Sequence, residues 1–187
     1  MQTWCGDKDL SHLLNHYTQY NLRVYTGGVR AIHELVFLLE RFYIPNSVRE
    51  NAFWIRCFEV AAFLSLRTND VIGVEKEWRH KERTGKRADN VVFHYMEATN
   101  CSFEEAVDRG LNEHNLALKE FHDFFEFLKS NQDCLYELNE EERQIFMKST
   151  FIMSECVACN IKGQSLMDRY NARLNLNFER STVSILG

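Results

Sequence analysis

Three positions on one stretch of the chain carry the strongest chemical pattern in the sequence. In the segment NDVIGVEKE, Asn69, Gly73 and Glu77 follow one another at four-residue intervals. In a helix this spacing places the three positions on nearly one face, with about 40° of drift per step. The oxygen atoms of Asn and Glu side chains suit Mg²⁺ or Mn²⁺ held together with substrate phosphates. The same spacing is also typical of an ordinary polar helix surface, and the pattern alone leaves both interpretations open.

The whole string resembles the second metal-binding motif of class I terpene synthases, which reads Asn/Asp-Asp-x-x-Ser/Thr-x-x-x-Glu, often with Lys before the Glu. The matching residues here are Asn69, Asp70, Gly73, Lys76 and Glu77. The resemblance implies that positions 69, 73 and 77 bind a Mg²⁺ ion that also holds the substrate diphosphate, with Lys76 beside that diphosphate. Gly73 departs from the family pattern because it lacks the hydroxyl group. A water molecule would fill its coordination position, or the ligand is absent.

A second match lies upstream, in the segment YNLRVYTGG, which resembles the family's diphosphate sensor followed by a helix break. Arg23 precedes Asn69 by 46 positions (69 minus 23), the separation associated with microbial members of the family. The resemblance implies that Arg23 binds the diphosphate. In that family the signal then passes to the break, here Thr26, Gly27 and Gly28, where a backbone carbonyl faces the ionising substrate. Guanidinium groups bind phosphate oxygens and a glycine pair permits an exposed carbonyl, although a surface arginine and a simple turn are the alternatives.

A third match lies near the end of the chain, where Asp168-Arg169-Tyr170 resembles the Arg-Tyr pair that clamps the leaving diphosphate when the family's active site closes. Asn160 precedes Arg169 by nine positions, as an Asn often does in that motif. The tryptophan that the family carries six residues before the arginine is Gly163 here. The resemblance implies diphosphate-binding roles for Arg169 and Tyr170, and the three matches occur in the family's order.

The family's first metal motif is an aspartate-rich string on a helix well upstream of the sensor arginine. Only 22 residues precede Arg23, and among them Asp7-Lys-Asp9 has the wrong spacing. The segment from His122 to Glu126 looks superficially similar, but it follows the second motif and is typical of a helix surface. The resemblance therefore covers almost the whole chain, yet roughly the C-terminal half to two thirds of a family domain.

Class I terpene synthases use Mg²⁺ ions to draw diphosphate from an allylic prenyl diphosphate, and aromatic walls then guide the carbocation. The metal acts there as a Lewis acid and stabilises the charge of the leaving group. The resemblance implies farnesyl diphosphate as the substrate, a sesquiterpene as the product and Mg²⁺ as the cofactor, with Mn²⁺ as the alternative cation. Aromatic residues that could line a pocket, although such residues more often belong to a core, are Phe53, Trp54, Phe58, Phe63 and Phe151.

The competing interpretation is a non-catalytic helical fragment or pseudoenzyme that acts as a protein-association module. The absence of several family helices would leave apolar surface exposed, which favours a homodimer or other self-association. An in-frame aspartate-rich helix encoded upstream of Met1 would favour the enzyme over this alternative.

The elements that must position these residues are predicted to be helices. Apolar residues recur at three- and four-residue intervals almost throughout, and the only proline is Pro45. We predict an all-α bundle of the class I terpenoid synthase type that lacks its N-terminal helices. Asn46 or Ser47 is expected to cap the long third helix, and Ser102 with Glu105 forms a capping-box pattern. The predicted helices cover residues 10–25, 29–42, 53–81, 89–99, 103–130 and 139–161.

Composition narrows the classes of protein and partner. The 187 residues are 45% hydrophobic with a net charge of −5, which indicates a globular chain without the basic surface that nucleic acids require. No signal segment and no run of 18 apolar residues is present, so we expect a cytoplasmic protein without membrane insertion. Residues 1–171 are expected to form the domain and residues 172–187 a tail that is a loop or a disordered end. Cys156 and Cys159 are interpreted as reduced thiols in a helix core rather than as a zinc site.

Overall fold

The structure, a computed structural model, describes residues 22–86 and 89–166, and within this part of the chain it contains helices and no β-strand. The predicted all-α class is therefore confirmed. None of the helices described there is both long and apolar enough to cross a lipid bilayer. The elements are α1 at residues 22–26, α2 Val29–Leu39, α3 Asn46–Arg49, α4 Ala52–Thr84, α5 Val91–Thr99, α6 Phe103–Ser130, a 3₁₀ helix Gln132–Leu135, and α7 Glu140–Leu166.

The ends of the long helix α4 are fixed by local backbone chemistry. The side chain of Asn51 accepts hydrogen bonds from two N–H groups of the first turn. The expectation that Asn46 or Ser47 caps this helix was wrong, because the chain first forms the short helix α3 at that point. At the other end, Gly85 adopts a φ of 67°, which glycine tolerates without steric strain, and its N–H donates to the carbonyl of Lys81.

Helix α4 packs against both α6 and α7 and forms the centre of the fold. Its first half contributes to a hydrophobic cluster with α6 and α7, and its second half contributes to another with α5 and α6. The Trp54 ring stacks on Phe58, one turn later in α4, with centroids 5.7 Å apart. The Trp54 Nε1–H group also donates to the Ser149 hydroxyl across 2.9 Å. The rotational setting of α4 is therefore fixed by neighbours along most of its length.

The sequence predicted the boundaries of α6 correctly, and the start of this helix carries a local signal. The Ser102 hydroxyl accepts from the Glu105 N–H while the Glu105 carboxylate accepts from the Ser102 N–H, which is the expected capping box. Helix α7 extends to Leu166, beyond the predicted end near Ile161, and α2 ends at Leu39 rather than near residue 42. These two ends lack a strong local stop signal, so the apolar pattern alone did not define them.

Helix α2 has one face in the core and one face exposed. Its inward side chains include His33 and Phe37, which are buried. The outer α2 face consists of four apolar side chains that are each more than half exposed, namely Ile32, Leu35, Leu38 and Leu39. Within the described part of the chain, this helix therefore presents an uncovered apolar stripe.

Candidate metal and diphosphate site

The structure places the NDVIGVEKE motif entirely within α4. Asn69 and Glu77 are half-buried, whereas Gly73 is buried. Asp70 is 3% exposed, so the motif is not an ordinary solvated helix face. Lys76 is half-buried beside Glu77. Asp70, the second residue of the motif, is buried, and the outer positions Asn69 and Glu77 keep partial access to solvent.

Arg23 and Asp70 form an ion pair that joins α1 to α4. Arg23 Nη1 donates to Asp70 Oδ2 across 2.8 Å and to the carbonyl of Asp89 across 3.1 Å. The same Asp70 oxygen accepts the Val91 N–H at 3.2 Å, at the beginning of α5. Burial raises the pKa of Asp70, and Arg23 and the Val91 N–H oppose that rise. Burial alone would lower the pKa of Arg23, but Asp70 and Asp89 raise it above its ordinary value, so the arginine is charged.

Asn90 links this ion pair to Glu77. Its side chain is fully buried, and Nδ2 donates to Glu77 Oε2 at 2.9 Å and to the Asp70 carbonyl at 2.8 Å. Asn90 Oδ1 accepts the Val92 N–H at 2.9 Å and so caps α5. Burial raises the pKa of Glu77, and the hydrogen bond from Asn90 opposes the rise. An Asn before an apolar helix predicts a cap, but the contact with Glu77 had no signal in the sequence.

Asn69 and Glu77 provide the oxygen donors that a magnesium ion prefers. Neither Glu77 Oε1 nor the Asn69 side chain forms a hydrogen bond with the residues that the structure describes. Gly73 contributes no side chain, and Asp70 is already paired with Arg23. In residues 22–86 and 89–166, no group of three or more His, Cys, Asp or Glu side chains is arranged for metal binding. Side-chain oxygens of this chemical type are suited to Mg²⁺, an ion that is usually held by one or two carboxylates together with water and substrate phosphate.

The helix break at the glycine pair is present as predicted, between α1 and α2. Gly28 has a φ of 76°, a conformation that favours glycine. A Cβ atom on Gly27 would lie 2.6 Å from Leu66 Cδ2 and 2.8 Å from the carbonyl oxygen of Arg23. Gly27 therefore allows α1 to lie close to α4. Thr26 and both glycines are exposed in this structure.

The third predicted element of the site is not tested by the structure. Arg169 and Tyr170 lie outside the described residues, so their diphosphate-binding roles stay predictions. Asn160 lies near the end of α7, where its Oδ1 accepts a hydrogen bond from Gln164 Nε2 at 2.9 Å.

Two motif-like segments outside the site behave as ordinary helix positions. Asp123 and Glu126 are exposed on α6 and pair with neighbouring lysines, as predicted for a helix surface. Cys156 is half-buried and burial raises its pKa, but Cys159 is exposed. The interpretation of both cysteines as core residues was therefore wrong for Cys159, which lies on the solvent side of α7.

A cavity of about 790 Å³ lies between α1, α4, α5 and α6. Phe63 is the one residue among the five candidate aromatics that lines it. Its wall also carries the pair formed by Arg67 Nη2 and Glu113 Oε2, 2.9 Å apart. Trp54 and Phe58 lie in the core instead. No candidate metal or diphosphate residue from the described part of the chain lines this cavity.

Comparison with known proteins assigns the same segment to a family. Residues 11–120, more than half of the chain, match the family described as "Terpene synthase family 2, C-terminal metal binding". A (+)-T-muurolol synthase that cyclises (2E,6E)-farnesyl diphosphate, from Roseiflexus castenholzii (strain DSM 13941 / HLO8), is 29% identical over 92 residues. That match covers 49% of this chain and 27% of the relative. The family region includes Arg23 and the whole α4 motif, so the chain belongs to terpene synthase family 2, in its C-terminal metal-binding part.

Proposed function

We propose that this chain is the metal-binding part of a class I terpene synthase that ionises an allylic prenyl diphosphate. The observation that carries the proposal is the close association of Arg23 with the α4 motif, through the residue next to Asn69. The similarity to a farnesyl diphosphate cyclase supports farnesyl diphosphate as the substrate and a sesquiterpene as the product. The cytoplasmic location expected from the sequence stays a prediction.

In this proposal Asn69 and Glu77 hold Mg²⁺, with Mn²⁺ as the alternative cation. The bound ion would act as a Lewis acid and stabilise charge on the leaving diphosphate. The Glu77 carboxylate would hold the ion with its oxygen Oε1 available, since Oε2 already accepts a hydrogen bond from Asn90. Water or a phosphate oxygen would supply the ligand that a hydroxyl at position 73 cannot, because Gly73 has no side chain.

Arg23 and Lys76 would bind the diphosphate itself. Both hydrogen bonds of Arg23 use Nη1, and its Nε and Nη2 groups form no hydrogen bond with the residues that the structure describes. The Arg23 side chain is 24% exposed, so these donors can reach a phosphate without breaking the pair with Asp70. Arg169 and Tyr170 are proposed to close over the same group.

The test is the release of diphosphate from farnesyl diphosphate in the presence of Mg²⁺, with extraction of terpene products. Glu77→Gln keeps the shape of the side chain but removes its charge, and we expect it to abolish Mg²⁺-dependent diphosphate binding and turnover. Glu126→Gln makes the same chemical change on the exposed surface of α6 and should match the parent chain. Cys156→Ala should also leave binding unchanged. Equal binding by Glu77→Gln and the parent would disprove the metal assignment.

A second candidate function is supported by the outer α2 face. An exposed apolar stripe of this kind favours association, and we propose a homodimer of a non-catalytic chain as the alternative. Light scattering over a range of concentrations would detect the dimer, and Leu35→Glu should dissociate it. Folded protein that shows no turnover but loses its dimer in Leu35→Glu would favour this alternative over the enzyme.

A further inference from the structure

Asn90 contacts two parts of the α4 motif that lie 13 and 20 positions before it in the chain. Its Nδ2 group has two hydrogen atoms, and the two acceptors found here, Glu77 Oε2 and the Asp70 carbonyl, use both of them. The side chain has no exposure to water. Both hydrogen atoms of the amide nitrogen are therefore donated to α4, and neither is available to a bound ligand.

We propose that Asn90 is a positioning residue that fixes the Glu77 carboxylate for metal binding. This inference rests on the proposed function, because it concerns how the metal ligand is held. A glutamate side chain loses rotational freedom when it binds an ion, and that loss weakens binding. The hydrogen bond to Oε2 fixes the carboxylate beforehand and leaves Oε1 for the cation. A residue that forms a hydrogen bond with a metal ligand, without contacting the metal itself, orients that ligand.

The residue type at position 90 supports this role over that of a helix cap alone. The cap of α5 uses only Asn90 Oδ1, which accepts the Val92 N–H. Serine or aspartate would cap the helix as well. Aspartate would instead place a carboxylate oxygen against Glu77 Oε2 and the Asp70 carbonyl, where only a hydrogen-bond donor fits. Asparagine provides the cap and the two donated hydrogen bonds together.

The same short segment also fixes the arginine of the site. The Asp70 carboxylate that pairs with Arg23 accepts the N–H of Val91, the residue after Asn90. The Asp89 carbonyl, from the residue before Asn90, accepts from Arg23. Residues 89–91, at the start of α5, therefore hold both Arg23, which is proposed to bind the diphosphate, and Glu77, which is proposed to bind the metal.

The experiment measures Mn²⁺ binding by the full chain in the presence of inorganic diphosphate, together with the thermal midpoint. Asn90→Ser retains a helix cap and loses the donor to Glu77, whereas Asn90→Ala loses both. We expect both variants to bind Mn²⁺ about 10- to 100-fold more weakly than the parent, the usual effect of removing such a partner. Asn90→Ser should recover the part of the thermal stability that depends on the cap of α5, without recovering Mn²⁺ affinity.

The matched control is Asn51→Ala, which removes the cap of α4 at the end opposite the motif. It should lower the thermal midpoint and leave Mn²⁺ affinity at the level of the parent. If Asn90→Ser binds Mn²⁺ as tightly as the parent while Glu77→Gln does not, Asn90 is only a helix cap and the inference is overturned on its own. If the parent binds no Mn²⁺, the proposed function fails and the inference fails with it.

Discussion

The two partners of the Arg23–Asp70 ion pair differ in exposure, and this difference predicts unequal effects of removing them. The Asp70 side chain is 4% exposed and the Arg23 side chain is 24% exposed. Arg23→Ala leaves a carboxylate buried with the Val91 N–H as its remaining donor, whereas Asp70→Ala leaves a guanidinium that can turn toward water. Breaking a buried pair costs about 3–5 kcal/mol, and we expect Arg23→Ala to approach that range near neutral pH. Asp70→Ala should cost about 1–3 kcal/mol, mostly from the unpaired Val91 N–H.

The pH dependence separates the two variants further. Burial raises the pKa of Asp70 in the folded protein, and removing Arg23 raises it more. A carboxyl group with a raised folded pKa lowers the free energy of unfolding as pH rises from its unfolded pKa through its folded pKa. Lowering the pH through that window protonates Asp70, so the deficit of Arg23→Ala should shrink. The deficit of Asp70→Ala should grow instead, because the parent gains stability from its own Asp70 as the pH falls and this variant does not.

Urea unfolding followed by far-UV circular dichroism, at about pH 8 and about pH 5.5, measures both free energies. The parent chain at each pH is the reference, so changes in carboxyl groups common to all three proteins cancel. Equal losses for the two variants at both pH values would refute the reasoning, because they would mean that exposure does not decide the cost.

Two further predictions concern the helix break and the buried histidines. Gly27→Ala should lower the free energy of unfolding by about 1–3 kcal/mol, because the added methyl group overpacks against Leu66. Gly28→Ala should lower it by about 1–2 kcal/mol, because Gly28 has a positive φ. If urea unfolding shows no loss of stability in Gly27→Ala, the close approach of Gly27 to Leu66 is contradicted. Burial lowers the pKa of His33 and His114, so their contribution to stability is present above the unfolded pKa of about 6.5 and is lost as pH falls through the folded pKa. His33→Leu should reduce that loss, and an unchanged pH slope of the urea midpoint would count against the assignment.

The helices were predictable where their signals are local, and less so where several capping residues compete. Ser102 and Glu105 lie three residues apart, and the pattern located the start of α6 without tertiary information. The segment before α4 contains Asn46, Ser47 and Asn51, each of which is a suitable cap. Only the formation of α3 decides among them, and a helix of four residues leaves almost no periodic signal.

The sequence predicted the candidate ligands of the site, but it did not predict the residues that hold those ligands in place. The family resemblance and the helical spacing selected Arg23, Asn69 and Glu77. The contacts of Asp70 and Asn90 join residues 13 to 47 positions apart on three different helices. The residue types identified Asp70 as a polar residue of the motif and Asn90 as a helix cap. The contacts of both side chains depend on how α1 and α5 pack against α4, which the sequence does not show.

The length of α4 has a consequence for how this chain can vary. Its 33 residues form one helix of roughly 50 Å, with Trp54 packed against α7 near one end and Glu77 near the other. Inserting or deleting one residue between these two positions would rotate Glu77 by about 100° relative to α7 and would carry it away from Asn90. We therefore expect changes of length to be tolerated in the connections on either side of the helix and not between Trp54 and Glu77, so the number of residues between these two positions is as much a part of the site as their identities.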